Sequence, residues 1–181
     1  MRFHGTKLKG VFEVRVEERT DQRGFFARSW CTTEFEERGL NPRVVQCNIS
    51  FNDRKGTFRG IHYQAAPRAE AKLIRCTQGA IYDIVLDLRQ ESATFKQWIG
   101  LVLSAREHNM VYVPEGCAHG FLTLEDHTEV FYQMSEFYNA ESARGVRWDD
   151  PAFQIVLPSK IEVISDRDRT YSNFEFVPCA C

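Results

Sequence analysis

The clearest pattern along the chain covers residues 81–89. Tyr82, Ile84, Leu86 and Leu88 fall on one face, and Asp83, Asp87 and Arg89 fall on the other with Ile81 and Val85. Alternation with a period of two is the mark of a β-strand, because successive side chains point to opposite sides. Residues 10–16 alternate in the same way, with Val11, Glu13 and Arg15 against Phe12, Val14 and Val16. Further strands are expected over residues 25–30, 44–51, around His62, around Lys72, and over 95–103, 110–113, 119–124 and 129–134. Turn residues separate them: Asp21 and Gly24, the run from Asn52 to Gly56, Gln78 with Gly79, and Pro114 with Gly116. Residues 32–38 read as one short helix, with Thr33 as its cap and Glu36 and Glu37 in its first turns. Beyond Tyr138 the chain loosens through Asp149, Asp150 and Pro151 and through Leu157 and Pro158. Many short, evenly spaced strands with almost no helix predict an all-β sandwich or barrel.

Composition narrows the picture. A length of 181 residues suits one domain, and neither an internal repeat nor a low-complexity linker divides residues 1–181. The 14 Phe and 6 Tyr favour a β-rich interior. A net charge of -2, with basic and acidic residues interleaved, excludes nucleic acid as the main partner. No apolar run is long enough to span a membrane, and the first residues lack the apolar stretch of a secretion signal. The cysteines at 31, 47, 76, 117, 179 and 181 form no CxxC pair. They are expected to be reduced, mostly buried thiols, which suits a cytoplasmic protein.

The candidate chemistry lies between Gly56 and Arg75. His62 and Lys72 stand on two strand-like segments joined by a loop through Ala65, Ala66, Pro67, Arg68 and Ala69. That arrangement can place an imidazole beside an ammonium in one cavity. A neutral imidazole pulls a proton from carbon, and the ammonium steadies the oxyanion that forms. Without convergence, the same residues are polar groups on separate solvated strand faces.

Spacing adds a fold signal. Gly56-x5-His62 followed by Pro114-x-Gly116-x-x-His119 resembles the two motifs of the cupin family, a double-stranded β-helix or jelly-roll barrel. Metal-binding cupins carry a second histidine and a glutamate in the first motif. Here Gln64 stands at the histidine position, and Glu70 lies outside the usual spacing. Two histidines without those partners make a poor site for Fe, Mn or Zn, so no metal and no cofactor is expected.

A closer resemblance covers residues 21–168. Asp21-Gln-Arg-Gly-Phe-Phe26, Gly56-Thr-Phe-Arg-Gly-Ile-His-Tyr-Gln64, Lys72-Leu-Ile-Arg-Cys76, Tyr82-Asp-Ile-Val-Leu-Asp-Leu-Arg89, Val113-Pro-Glu-Gly-Cys-Ala-His-Gly-Phe-Leu122 and Arg144-Gly-Val-Arg-Trp-Asp-Asp-Pro151 occur in the order seen in the dTDP-4-dehydrorhamnose 3,5-epimerase family, a metal-free branch of the cupins. The resemblance implies a homodimeric enzyme with exchanged N-terminal strands. It would invert C3 and C5 of a nucleotide-diphospho-4-keto-6-deoxyhexose through an enolate.

By resemblance His62 is the base, Asp168 orients it, Lys72 holds the enolate oxygen, and Tyr132 supplies a proton from the other face. His119 lines the pocket. Arg23, Arg59 and Arg167 contact the nucleotide or its phosphates, Phe26 stacks on the base, and Gln46, Asn48, Arg28 and Tyr138 complete the substrate-binding positions. Taken singly, Tyr132 reads as core packing, His119 as a turn residue and Asp168 as a solvated carboxylate.

Several positions depart from the family pattern. Arg28 and Ala143 replace glutamates, Cys47 replaces an aspartate, Gln133 replaces a lysine, and Arg167 replaces a lysine with its charge kept. Loss of two acceptors at 28 and 143 predicts weak selectivity for thymidine over other nucleosides. Other readings are an epimerase acting at C3 alone, a metal-dependent oxygenase, and a non-catalytic sugar-nucleotide-binding cupin. The last would be expected to have lost His62, Lys72 or Tyr132, and all three are present.

Overall fold

A computed structural model of the chain describes residues 1–175. Its strands follow as β1 (Arg2–Gly5), β2 (Phe12–Arg15), β3 (Arg19–Asp21), β4 (Gly24–Phe26), β5 (Gln46–Asn52), β6 (Thr57–Gln64) and β7 (Lys72–Gln78). After these come β8 (Ala80–Asp87), β9 (Trp98–Ser104), β10 (Met110–Val113), β11 (Cys117–Thr123), β12 (Thr128–Met134), β13 (Ala143–Gly145) and β14 (Val163–Ile164). The helices are α1 (Thr32–Glu36) and α2 (Asp166–Thr170). One sheet runs β1-β2-β10-β7-β12-β5, and the other runs β13-β6-β11-β8-β9 with β14 also paired to β6. The result is an all-β, cupin-type jelly roll with two short helices.

Alternation along the strands explains how the sheets close on each other. Ile74, Val111, Val113 and Val130 of the first sheet meet Ile81, Val85, Leu103, Cys117 and Phe121 of the second in one buried core. The outer face of the first sheet is covered by α1 and its flanks, through Phe35, Leu40, Leu73 and Met110. The outer face of the second is covered by the segment after β13, where Val146, Phe153 and Ile155 pack on Phe58, Ile61, Ile84 and Leu86. Each such side chain removed from water contributes about 1.5–3 kcal/mol. Both faces of β8 are therefore buried, which is why it carries apolar residues on both.

Strand existence follows the sequence pattern, while boundaries differ for identifiable reasons. The strand expected over 10–16 is shorter because Gly10, at φ 81°, makes a turn back to β1, an element the pattern did not announce. The strand expected over 25–30 stops at Phe26. The helix expected to be capped by Thr33 starts after Cys31, with no side-chain cap, and Thr33 lies within it. The strand expected from Phe95 begins at Trp98 because residues 88–97 form a loop gathered on Asp87. The stretch beyond Tyr138 is not loose: it contains β13, β14 and α2. Among the cysteines, Cys76 and Cys117 are buried, Cys31 is half-buried and Cys47 is exposed. Cys179 and Cys181 lie outside the described residues.

Asp87 shows how a carboxylate can anchor a loop. It is fully buried, and it accepts hydrogen bonds from Arg89 Nε at 2.8 Å, Ser92 Oγ at 2.6 Å and Thr94 Oγ1 at 2.6 Å. Burial alone would raise its pKa. The bonds from Arg89, Ser92 and Thr94 together outweigh that and hold it at about 2. A depressed folded-state pKa stabilises the fold above the unfolded value near 3.9, and this contribution is lost as pH falls through the folded value. Asp87→Asn is expected to cost about 2 kcal/mol at neutral pH, with the gap to wild type closing between about pH 4 and pH 2. Urea unfolding across that range measures it, and a pH-independent gap would contradict the assignment.

Candidate active site

The pocket between the sheets has a volume of about 630 Å³. Strand β6 supplies two of its polar side chains, Arg59 and His62. Strict alternation would put residues three apart on opposite faces. The pairing of β6 with β11 shifts register between His119 and Phe121, opposite Gly60, and so both side chains turn inward. Gly60 has φ 132°, and a Cβ there would stand 2.5 Å from Gly120 Cα. Only glycine fits such an approach.

His62 is held from the far end of the chain. Its Nε2 lies 2.6 Å from Asp168 Oδ1, and Asp168 Oδ2 accepts from the Gly60 amide at 3.2 Å. Ser165 caps α2 by accepting from the Asp168 amide at 3.1 Å, which fixes the carboxylate's direction. Asp168 is only 4% exposed, so it is not a solvated tail carboxylate. Burial would raise its pKa, but the His62 hydrogen bond and charge, the Gly60 amide and Ser165 bring it below the ordinary value. With one ring nitrogen donating to this carboxylate, the other keeps its lone pair for a proton.

The first sheet provides the opposing groups. Lys72 shares the inward face of β7 with Ile74 and Cys76, and its Nζ donates to Glu70 Oε1 at 2.9 Å and to the His62 carbonyl at 3.4 Å. Tyr132 comes from the neighbouring strand β12, in register with Ile74. Burial raises its phenol well above the ordinary range. The Asp83 carboxylate adds to that, and Arg59 opposes it. The phenol therefore keeps its proton at neutral pH. His119, in register with His62 across β11 and β6, bonds through Nε2 to Asp83 Oδ2 at 2.6 Å, and both are buried. No sequence motif marks Glu70 as the partner of Lys72 or Asp83 as the partner of His119. In the sequence Glu70 stands out only beside the metal-ligand spacing. Asp83 carried a signal in facing the same way as Ile81 and Val85.

The anion-binding candidates divide. Arg59, its Nε bonded to Asn52 Oδ1 at 2.7 Å, lines the pocket with Arg167 and Asn48. Gln46 stands beside it, donating to Asn48 Oδ1 at 3.3 Å and accepting from the Tyr138 amide at 3.2 Å. Arg23, Phe26 and Arg28 are not brought to this pocket within the chain. Arg23 pairs with Asp21 at the tip of the β3–β4 hairpin, Phe26 is 74% exposed, and Arg28 pairs with Glu34 at 3.1 Å. Ala143 pairs with Gln64, and its side chain offers no acceptor. Among the described residues, no three His, Cys, Asp or Glu side chains converge as a metal ion would need.

A base and a cation beside a protonated phenol, facing one another across a jelly roll, define a cupin-type enzyme equipped for proton transfer at carbon. Residues 5–175 match the family model described as dTDP-4-dehydrorhamnose 3,5-epimerase. The chain is 41% identical to the dTDP-4-dehydrorhamnose 3,5-epimerase of Shigella flexneri, over 87% of this chain and 86% of that protein. It is 39% identical to the enzyme of the same name from Methanothermobacter thermautotrophicus, over 94% of this chain and 92% of that one. A crystal structure of dTDP-4-dehydrorhamnose 3,5-epimerase from Bacillus anthracis, with TDP and PPi bound, superposes with a TM-score of 0.91 at 40% identity, covering 96% of this chain and 99% of that one. The chain belongs to the dTDP-4-dehydrorhamnose 3,5-epimerase family, and it is an epimerase of the isomerase class.

The His119–Asp83 pair generates a structural prediction. Asp83→Ala leaves a buried imidazole without its partner and is expected to cost roughly 3 kcal/mol, whereas Asp83→Asn keeps an acceptor and recovers at least half of that. Denaturant midpoints of the two variants check it. An Asp83→Ala protein as stable as wild type would show that the pair is dispensable.

Proposed function

We propose that this chain inverts C3 and C5 of a dTDP-4-keto-6-deoxyhexose. The observation that carries the proposal is the placement of His62 and Asp168 on one sheet's side of the pocket, with Lys72 and Tyr132 on the other. The 4-keto group acidifies the hydrogens on both neighbouring carbons. His62 takes one as a proton, and the C–H electron pair moves into the carbonyl to form an enolate. The Lys72 ammonium stabilises the enolate oxygen. Tyr132 then returns a proton to the opposite face of the same carbon, and the imidazolium and phenolate reset through solvent. Repeating this at the second carbon completes the isomerisation with no net gain or loss of protons. His119 lines the cavity near the phenol, their ring centroids 6.0 Å apart.

Arg59 and Arg167 hold the diphosphate, with Gln46, Asn48 and Tyr138 on the nucleoside side. Arg23, Phe26 and Arg28 act in a homodimer with exchanged N-terminal strands, reaching the partner's pocket from the β3–β4 hairpin. Among the described residues that hairpin pairs with no other strand, and it exposes Phe25 and Phe26. The protein works in the cytoplasm, in keeping with the free cysteines at 31, 47, 76 and 117.

Two measurements test this reading. His62→Ala is expected to lower turnover at least a thousandfold and to abolish exchange of both carbon-bound hydrogens, while Tyr132→Phe loses inversion but keeps some exchange. Wild-type exchange in His62→Ala would remove the assigned base. The second concerns the nucleoside. Arg28 is a cation tied to Glu34, and Ala143 offers no carboxylate. Thymidine diphosphate is therefore expected to bind less than about a hundredfold, or 2.7 kcal/mol, better than uridine, cytidine or guanosine diphosphate. Calorimetric titration decides it. A larger preference would mean that another group, such as Glu34, supplies the acceptor missing at position 28.

A further inference from the structure

Tyr171, just after α2, belongs to no motif, yet it touches both halves of the site. Its hydroxyl accepts from Arg167 Nε at 2.7 Å. Its ring stands edge-on to the His62 imidazole, with centroids 6.2 Å apart and planes at 69°. It also covers Gly145, the residue in register with His62 across β13 and β6, so closely that a Cβ there would overlap Cε2 and Cζ. Its backbone carbonyl accepts from an Arg147 guanidinium nitrogen at 3.4 Å, which pins the residue from the β13 side.

We propose that Tyr171 is a positioning residue that sets the anion-binding Arg167 and the base His62 together. The inference rests on the epimerase reading above. Tyr171 engages Nε and Tyr138 also bonds the guanidinium, which leaves its remaining N–H groups for phosphate oxygens. A long, flexible side chain fixed before substrate arrives loses less freedom on binding. The His62 side chain is 40% exposed, so Asp168 alone does not enclose it. The Tyr171 ring closes the flank that would let the imidazole swing from its carboxylate. Gly145 is small because this ring occupies the space where a side chain would go.

Kinetics with a dTDP-4-keto-6-deoxyhexose, thymidine diphosphate titration and thermal unfolding test the idea on four variants. Tyr171→Phe is expected to raise KM, and Kd for thymidine diphosphate, about three- to tenfold, with kcat within about twofold. Tyr171→Ala also lowers kcat, by about tenfold, because the imidazole loses its flank. Gly145→Ala displaces the ring and reproduces Tyr171→Ala, but adds nothing further in the Gly145→Ala, Tyr171→Ala double variant. A ring that only filled space would move the unfolding temperature without separating KM from kcat. Unchanged Kd in Tyr171→Phe, or additive effects of the two alanine substitutions, overturn the proposal. Absence of turnover in the wild-type protein would remove the epimerase reading and the His62 half of the inference, while the Kd comparison still decides the Arg167 half.

Discussion

Gly60 and Gly120 allow the backbones of β6 and β11 to meet more closely than any side chain permits. The register shift at that point decides which residues of β6 face inward. It turns Arg59 and His62 to the pocket and leaves Phe58 and Ile61 for the outer core under the C-terminal segment. Gly60 also donates its amide to Asp168, so the strand that carries His62 also receives the carboxylate bonded to it. The placement of Arg59, His62 and Asp168 thus depends on one close approach of two strands.

The remaining charges of the site are balanced locally. Lys72 has Glu70, His119 has Asp83, and His62 has Asp168, and in each pair the carboxylate is buried. Burying a charge is costly unless a partner and hydrogen bonds compensate it. Among the described residues, one oxygen of Glu70 and one of Asp83 accept no hydrogen bond. Such an arrangement is poorly explained as a stabilising device. It fixes Lys72, His119 and His62 at the pocket wall, and polar groups fixed in advance need no reorganisation when charge develops near them.

Much of this was legible in the sequence. Period-two alternation located most strands, and the apolar residues on both sides of residues 81–89 correspond to a strand buried on both faces. Motif spacing pointed to His62 and His119, the strand–loop–strand arrangement to Lys72 and the family resemblance to Tyr132, and the structure gathers these four around one cavity. Asp168 was the hardest to place, since a charged pentapeptide near the chain's end reads as solvent-exposed. Its burial comes from α2 docking on β6, a contact between residues more than a hundred positions apart. Tyr171 was unreadable for the same reason: its contacts with His62 and Gly145 are set by tertiary packing, not by local period. The β1–β2 hairpin escaped because β1 is a short, mostly exposed edge strand with weak alternation.

The central claim is that one base and one acid on opposite sides of a single pocket exchange hydrogen at both carbons beside a ketone. Proton NMR of a dTDP-4-keto-6-deoxyhexose with the wild-type protein in deuterium oxide tests it most directly. The account predicts that the C3 and C5 proton signals both disappear, and that the product carries deuterium at both carbons in inverted configuration. Loss of the C3 signal alone, or of neither, would contradict it.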